Sequence, residues 1–117
     1  MKYKLTEEKM TNKYGVELHR IQALCTFGNV FRGELGGWIE KEGNLSQVGE
    51  CWVHYNAVVH GNAQVYGDAV VSGGALVSGN ARVYDDAQLI GMANVYEHAN
   101  IFGNAWVRGN AEVCAPL

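Results

Sequence analysis

From Gly49 to Cys114 the chain reads GECWVH, YNAVVH, GNAQVY, GDAVVS, GGALVS, GNARVY, DDAQLI, GMANVY, EHANIF, GNAWVR, GNAEVC. These eleven hexads follow one another without an insertion; the first place is Gly in eight, the third is Ala in ten and Cys51 in the other, and the fifth is Val, Leu or Ile in all. A period sustained over this length is the signature of a solenoid. Places three and five lie two apart, so on an extended chain they share one side while places four and six take the other. Each hexad is a short strand with an inward Ala and an inward aliphatic. Gly followed by Asn or Asp at places one and two supplies turn residues that tolerate positive φ. Three bends of about 120° close a triangle, and successive coils stack about 4.8 Å apart through parallel pairing. A looser hexad, GNLSQV at 43–48, extends the series forward and places Leu45 in the small-residue position.

Working outward, residues 1–42 do not obey the hexad rule. Tyr3 and Leu5, then Val16 and Leu18, alternate around the turn-like TNKYG, which predicts a β-hairpin packed on the first coil. Such a cap covers one open edge of the stack. At the other end stand Ala115, Pro116 and Leu117, of which Pro116 has no ladder donor, so end-to-end association is expected there. The expectation is an all-β chain: a capping segment at 1–42 and a triangular β-solenoid of about four coils at 43–117, forming one structural unit.

The repeats resemble the hexapeptide-repeat, left-handed parallel β-helix superfamily, in which an aliphatic residue is followed four places later by a small one, as Val65 is by Ala69 and Val71 by Ala75. The left hand is implied by that resemblance alone, because the general crossover rule favours the right. Upstream, HRIQALCTFGNV (19–30), GELGGWIE (33–40) and NLSQVGECWVHYNA (44–57) resemble the N-terminal part of the YdcK-like group of bacteria and phages, assigned to the transferases chiefly by fold.

At 117 residues, with 48% hydrophobic and 18% charged residues, the chain has the composition of one small folded domain. No apolar run approaches the roughly 20 residues of a membrane span. The charged start MKYKLTEEKM and three cysteines without a CxxC pair place it in a reducing cytoplasm. Within 43–117 the only basic side chains besides histidine are Arg82 and Arg108, against Glu50, Asp68, Asp85, Asp86, Glu97 and Glu112. Repeats so poor in Lys and Arg would repel phosphates, which excludes nucleic acid as the ligand. Gly28, Gly33, Gly36 and Gly37 match no nucleotide fingerprint and are read as loop glycines.

Stacking at intervals of eighteen residues turns outward places into columns. One face carries Trp52, Val70, Gln88 and Trp106 beside His54, Ser72, Ile90 and Arg108; Trp52, Val70, Ile90 and Trp106 form an apolar patch suited to a protein partner unless the N-terminal segment covers it. A second carries Val58, Leu76, Asn94 and Glu112 beside His60, Ser78, Tyr96 and Cys114. The third sets Gln64, Arg82 and Asn100 beside a column of Tyr66, Tyr84 and Phe102, read as a packing ladder or a binding stripe. At one corner Glu50, Asp68 and Asp86 align, with Asp85 beside them. Like charges so close are relieved by a basic partner surface, by solvation or by a cation such as calcium.

Two readings follow. The first is a non-catalytic rigid scaffold or protein-binding module without a cofactor, a homo-oligomer (dimer or trimer) that, given its phage-borne relatives, occupies a host protein such as a CRISPR or other defence effector. The second is what the superfamily resemblance implies: an acyltransferase using acetyl-CoA, with His60 or His54 as the coil histidine acting as general base. The separated histidines lack the spacing of a zinc site.

Overall fold

In the computed structural model, which describes residues 1–116, the glycine-led hexads do form strands, each ending at its fifth-place aliphatic or running on through the next turn. The chain opens with β1 (Tyr3–Thr11), β2 (Glu17–Ala23) and β3 (Leu35–Ile39), then a 3-10 turn at Glu42–Asn44. Short rungs follow: β4 (Trp52–Val53), β5 (Val58–Val59), β6 (Gln64–Val65), β7 (Val70–Val71), β8 (Leu76–Val77), β9 (Arg82–Val83), β10 (Gln88–Leu89), β11 (Asn94–Glu97), β12 (Asn100–Ile101), β13 (Trp106–Val107) and β14 (Glu112–Ala115). They sort into three sheets, β4-β7-β10-β13, β6-β9-β12, and β1-β2-β3-β5-β8-β11-β14. The described chain is an all-β, triangular parallel solenoid, in accord with the β-helix that the resemblance implies.

The register is the one the period dictates. Val70 pairs with Gln88 and Gln88 with Trp106, Leu76 with Asn94 and Asn94 with Glu112, and Gln64 with Arg82 and Arg82 with Asn100, all parallel. Each coil hydrogen-bonds to the next in a repeating way: Val70 N–H donates to Ala87 C=O at 3.0 Å, Ser72 N–H to Leu89 C=O at 2.9 Å and Gly74 N–H to Gly91 C=O at 2.8 Å. All eleven first-place residues have positive φ, from 57° at Tyr55 to 82° at Gly49. That is the left-handed region where a Cβ is unwelcome, so the glycine excess is corner chemistry. Inside, the alanines from Ala57 to Ala93 and the aliphatics from Val53 to Val95 are at most 1% exposed.

The hairpin forms as expected: β1 and β2 pair antiparallel from Tyr3 with Ala23 to Thr11 with Glu17. Two features lie beyond the hexad reading. β3 pairs antiparallel with β2 but parallel with β5, Trp38 opposite Val58 and Ile39 opposite Val59, so parallel stacking already begins ahead of residue 43. Leu45 does not take the small-residue place; it is bridged in parallel to Val65, and Ser46 N–H donates to Val65 C=O at 2.9 Å. Leu45 therefore fills an aliphatic position, 1% exposed, because a leucine is too large for the corner. The 3-10 turn absorbs the change in register. Buried Asn44 secures it, donating through Nδ2 to Ala63 C=O at 2.9 Å and to Gly61 C=O at 3.2 Å, while its Oδ1 accepts Lys41 N–H at 2.9 Å.

At the far end Val107 and Val113 are only half-buried. Leu117, which the sequence reading placed there, lies outside the described residues. Among the described residues no helix is long and apolar enough to cross a membrane.

Candidate functional site

The corner between the third and first faces gathers the acids. Glu50, Asp68, Asp85 and Asp86 are all exposed. Two of the carboxylates are tied to the backbone of the neighbouring coil: Asp68 Oδ1 accepts Glu50 N–H at 3.1 Å, and Asp85 Oδ2 accepts Gly103 N–H at 3.0 Å. Among the described residues none of the four has a Lys, Arg or His within 4.0 Å. Nor does any group of three or more His, Cys, Asp or Glu converge as a metal cluster among those residues.

The apolar patch expected on the first face is only partly a surface. Trp52 is fully buried, so its assignment to a docking patch is corrected. The segment between β2 and β3 turns over this face, and the indole packs edge-on to Phe27 at 5.3 Å and to Tyr3 at 6.1 Å. Gly36 makes the cover fit: a Cβ there would stand 2.7 Å from Trp52 Cζ2 and 2.6 Å from the Val53 carbonyl oxygen. Val70 and Ile90 are half-buried, while Trp106, three coils away, is 60% exposed with the Arg108 guanidinium 5.8 Å from its ring.

His54 and His60 are half-buried, and burial pushes each imidazole below its ordinary pKa, with Glu34 opposing at His54 and Glu40 opposing at His60. His60 borders a cleft of about 340 Å³ on the second face with Tyr14, Ser78, Tyr96 and Glu112. His54 borders one of about 260 Å³ with Asn29, Glu50, Asp68 and Gln88. The fold sets the two on adjacent faces and does not bring them into one site.

The third face holds the aromatic ladder. Tyr66 and Tyr84 stack with centroids 5.0 Å apart and planes 4° from parallel, and Tyr84 and Phe102 at 5.5 Å and 13°. The rings spend their inner faces on one another. This geometry, the period of six and the positive-φ corners identify the architecture. The described chain is a parallel β-solenoid built from six-residue units.

No family model matches the chain. It is 38% identical over 60 residues to a protein of Escherichia coli (strain K12) named "Uncharacterized acetyltransferase YdcK", a match covering 45% of this chain. The matched part is 18% of that relative's length, so the chain spans a small share of it.

Lys2 and Asn44 escaped the sequence reading. Lys2 is 6% exposed and its Nζ donates to Cys51 C=O at 2.8 Å and to Gly49 C=O at 3.2 Å, standing 3.3 Å from Cys51 Sγ. It satisfies carbonyls at the head of the coil stack and pins the hairpin to it. Burial raises the Cys51 thiol above its ordinary pKa, with Lys2 opposing, so this inward cysteine is unreactive, whereas Cys25 and Cys114 are exposed. Nothing in the pattern near residue 2 signals this role, because the partner carbonyls lie more than forty residues away.

Proposed function

We propose that this chain is a rigid, non-catalytic binding module that offers its acidic corner to a basic protein surface, and that it works as a homo-oligomer. The observation that carries the reading is the row of Glu50, Asp68, Asp85 and Asp86, exposed and without a cationic partner among the described residues. Coils held at strand spacing oblige these carboxylates to face outward together. Their mutual repulsion is relieved when Lys or Arg groups dock, which favours fast, salt-sensitive association. In its sharper form the partner is a host defence effector such as a CRISPR nuclease, and the chain a phage or prophage product.

The test is capture of host protein by the wild type and by the double variant Asp68→Asn/Asp86→Asn, with solution mass measured on both. The expected result is a basic partner retained by the wild type, lost with added salt and at least tenfold weaker for the variant, which itself melts higher. Undiminished capture by the variant refutes the reading.

A second reading, acyl transfer, is favoured by the desolvated His60 beside Ser78 and Tyr96 and by the name of the relative. A neutral imidazole suits a general base. The cleft at His60 contains Glu112 and no Lys or Arg, which does not suit the phosphates of coenzyme A. Thermal stabilisation by acetyl-CoA, abolished in His60→Ala, would establish this reading over the first.

A further inference from the structure

The third face carries a groove unlike anything at the acidic corner. A cleft of about 560 Å³ is lined by Asn62, Gln64, Asn80, Arg82, His98 and Asn100, with no carboxylate among them. Gln64 also lines a second, predominantly apolar cleft of about 310 Å³, formed with Leu45, Ser46, Gln47, Val65 and Tyr66 and with the Glu42 carboxylate at its edge. The two clefts, one polar and one predominantly apolar, share Gln64.

Three properties of this groove define its ligand. Among the described residues, the side chains of Gln64, Arg82 and Asn100 make no hydrogen bond or ion pair with protein; Asn62 meets Lys41 Nζ at 3.1 Å, and Asn80 meets His98 Nε2 at 3.2 Å. A primary amide presents a donor and an acceptor side by side, which matches a hydroxyl that both gives and takes a proton. Next, Tyr66 ends the aromatic ladder: Tyr84 covers one ring face, and the tyrosine borders the apolar cleft where no further ring stacks on it. An aromatic ring bordering a cleft beside amides suits the C–H face of a sugar. Finally, Arg82 is the one permanently charged side chain lining the polar cleft, too little for a polyanion, which is held by many cations.

We infer that the groove running from Tyr66 to Asn100 binds a neutral oligosaccharide, laid along the coil axis with one sugar against Tyr66 and the following hydroxyls on the amides and Arg82. The rungs repeat at the spacing of parallel strands, and an extended β-linked hexose chain advances by a similar step, so equivalent amides meet equivalent hydroxyls. This site goes beyond the protein-binding reading and does not depend on the acidic corner.

The experiment titrates the 15N-labelled chain with maltohexaose, cellohexaose and chitohexaose, with hexagalacturonate and a glutamate-rich peptide as charged comparisons. Saturable binding of cellohexaose or chitohexaose, the extended β-linked chains, is expected with a dissociation constant at or below about 1 mM and shifts at Gln64, Asn80 and Asn100, with α-linked maltohexaose weaker. Arg82→Ala and Asn80→Ala, both at exposed positions, should each weaken it about tenfold, and Tyr66→Ala likewise, while Glu7→Ala on the hairpin leaves it unchanged. Absence of saturation by both cellohexaose and chitohexaose overturns the assignment, as does binding indifferent to Arg82→Ala and Asn80→Ala. Preference for hexagalacturonate or the acidic peptide also overturns it, reassigning the groove to anions.

Discussion

Replacing Gly73 by Ala tests the corner geometry on which every column depends. Gly73 has φ +68°, and a Cβ there would lie 2.8 Å from the Gly91 carbonyl oxygen and 2.9 Å from Gly91 N, the backbone of the coil below. The left-handed conformation costs an alanine about 1–2 kcal/mol, and the stiffer unfolded chain returns about 0.4–1 kcal/mol. Forcing a methyl against unyielding backbone adds about 1–3 kcal/mol. Gly103 supplies the control: φ is +64° and nothing lies within 4 Å of its Cβ position, so only the conformational part applies. Gly61, which would meet Gly79 N at 3.2 Å, should fall between them and shows that nearness to the chain end is not the cause. Urea unfolding followed by the fluorescence of buried Trp38 and Trp52 measures all three. Gly73→Ala should lose about 1–3 kcal/mol more than Gly103→Ala, a midpoint difference of roughly 0.3–3 M for an m-value of 1–3 kcal/mol/M. Equal losses at Gly73, Gly61 and Gly103 would refute the stacking of these corners.

At Glu97, a first-place residue with φ 60°, Glu97→Gly should raise stability by up to about 1 kcal/mol, read in the same urea titration; a loss would contradict the strain. Trp52→Ala should cost about 3–5 kcal/mol because the indole is fully enclosed, whereas Trp106→Ala, at 60% exposure, should stay within about 1 kcal/mol, as thermal melts will show. Lys2→Met should destabilise the fold and raise amide exchange in β1, since the Gly49 and Cys51 carbonyls lose their donor; exchange unchanged in β1 would exclude the pinning role. Because burial depresses the pKa of His54 and His60, the unfolded chain binds their protons first as pH falls below about 6.5. Their contribution to stability is present above that pH and is lost as pH drops through the lower folded values, so melts at pH 7 and pH 5 should differ less in a His54→Gln/His60→Gln variant.

Much of the fold was readable from the hexads because each place answers to a local constraint. Ala at the third place and Val at the fifth record how much room the prism offers, and glycine at the first records the sign of φ. The pairing of Gln88 with Val70 and Trp106 follows from arithmetic once the period is known. Leu45 was misplaced because GNLSQV keeps the outward form of a hexad while the 3-10 turn before Leu45 shifts its register. The candidate sites were readable as columns of residue types, including the acids and the stacked Tyr66, Tyr84 and Phe102. Their environment was not, since period assigns an outward direction and says nothing about what lies over it.

By itself the sequence determined the repeating unit: a strand, a left-handed corner, and a return to the same place one coil later, all set by interactions within a few residues or between identical neighbours. The tertiary structure decided what covers Trp52, how Lys2 serves the carbonyls of Gly49 and Cys51, and that two clefts share Gln64. Those outcomes depend on where an aperiodic segment comes to rest, and its packing is chosen by shape and unsatisfied backbone groups on the assembled coils, which exist only once the solenoid has formed.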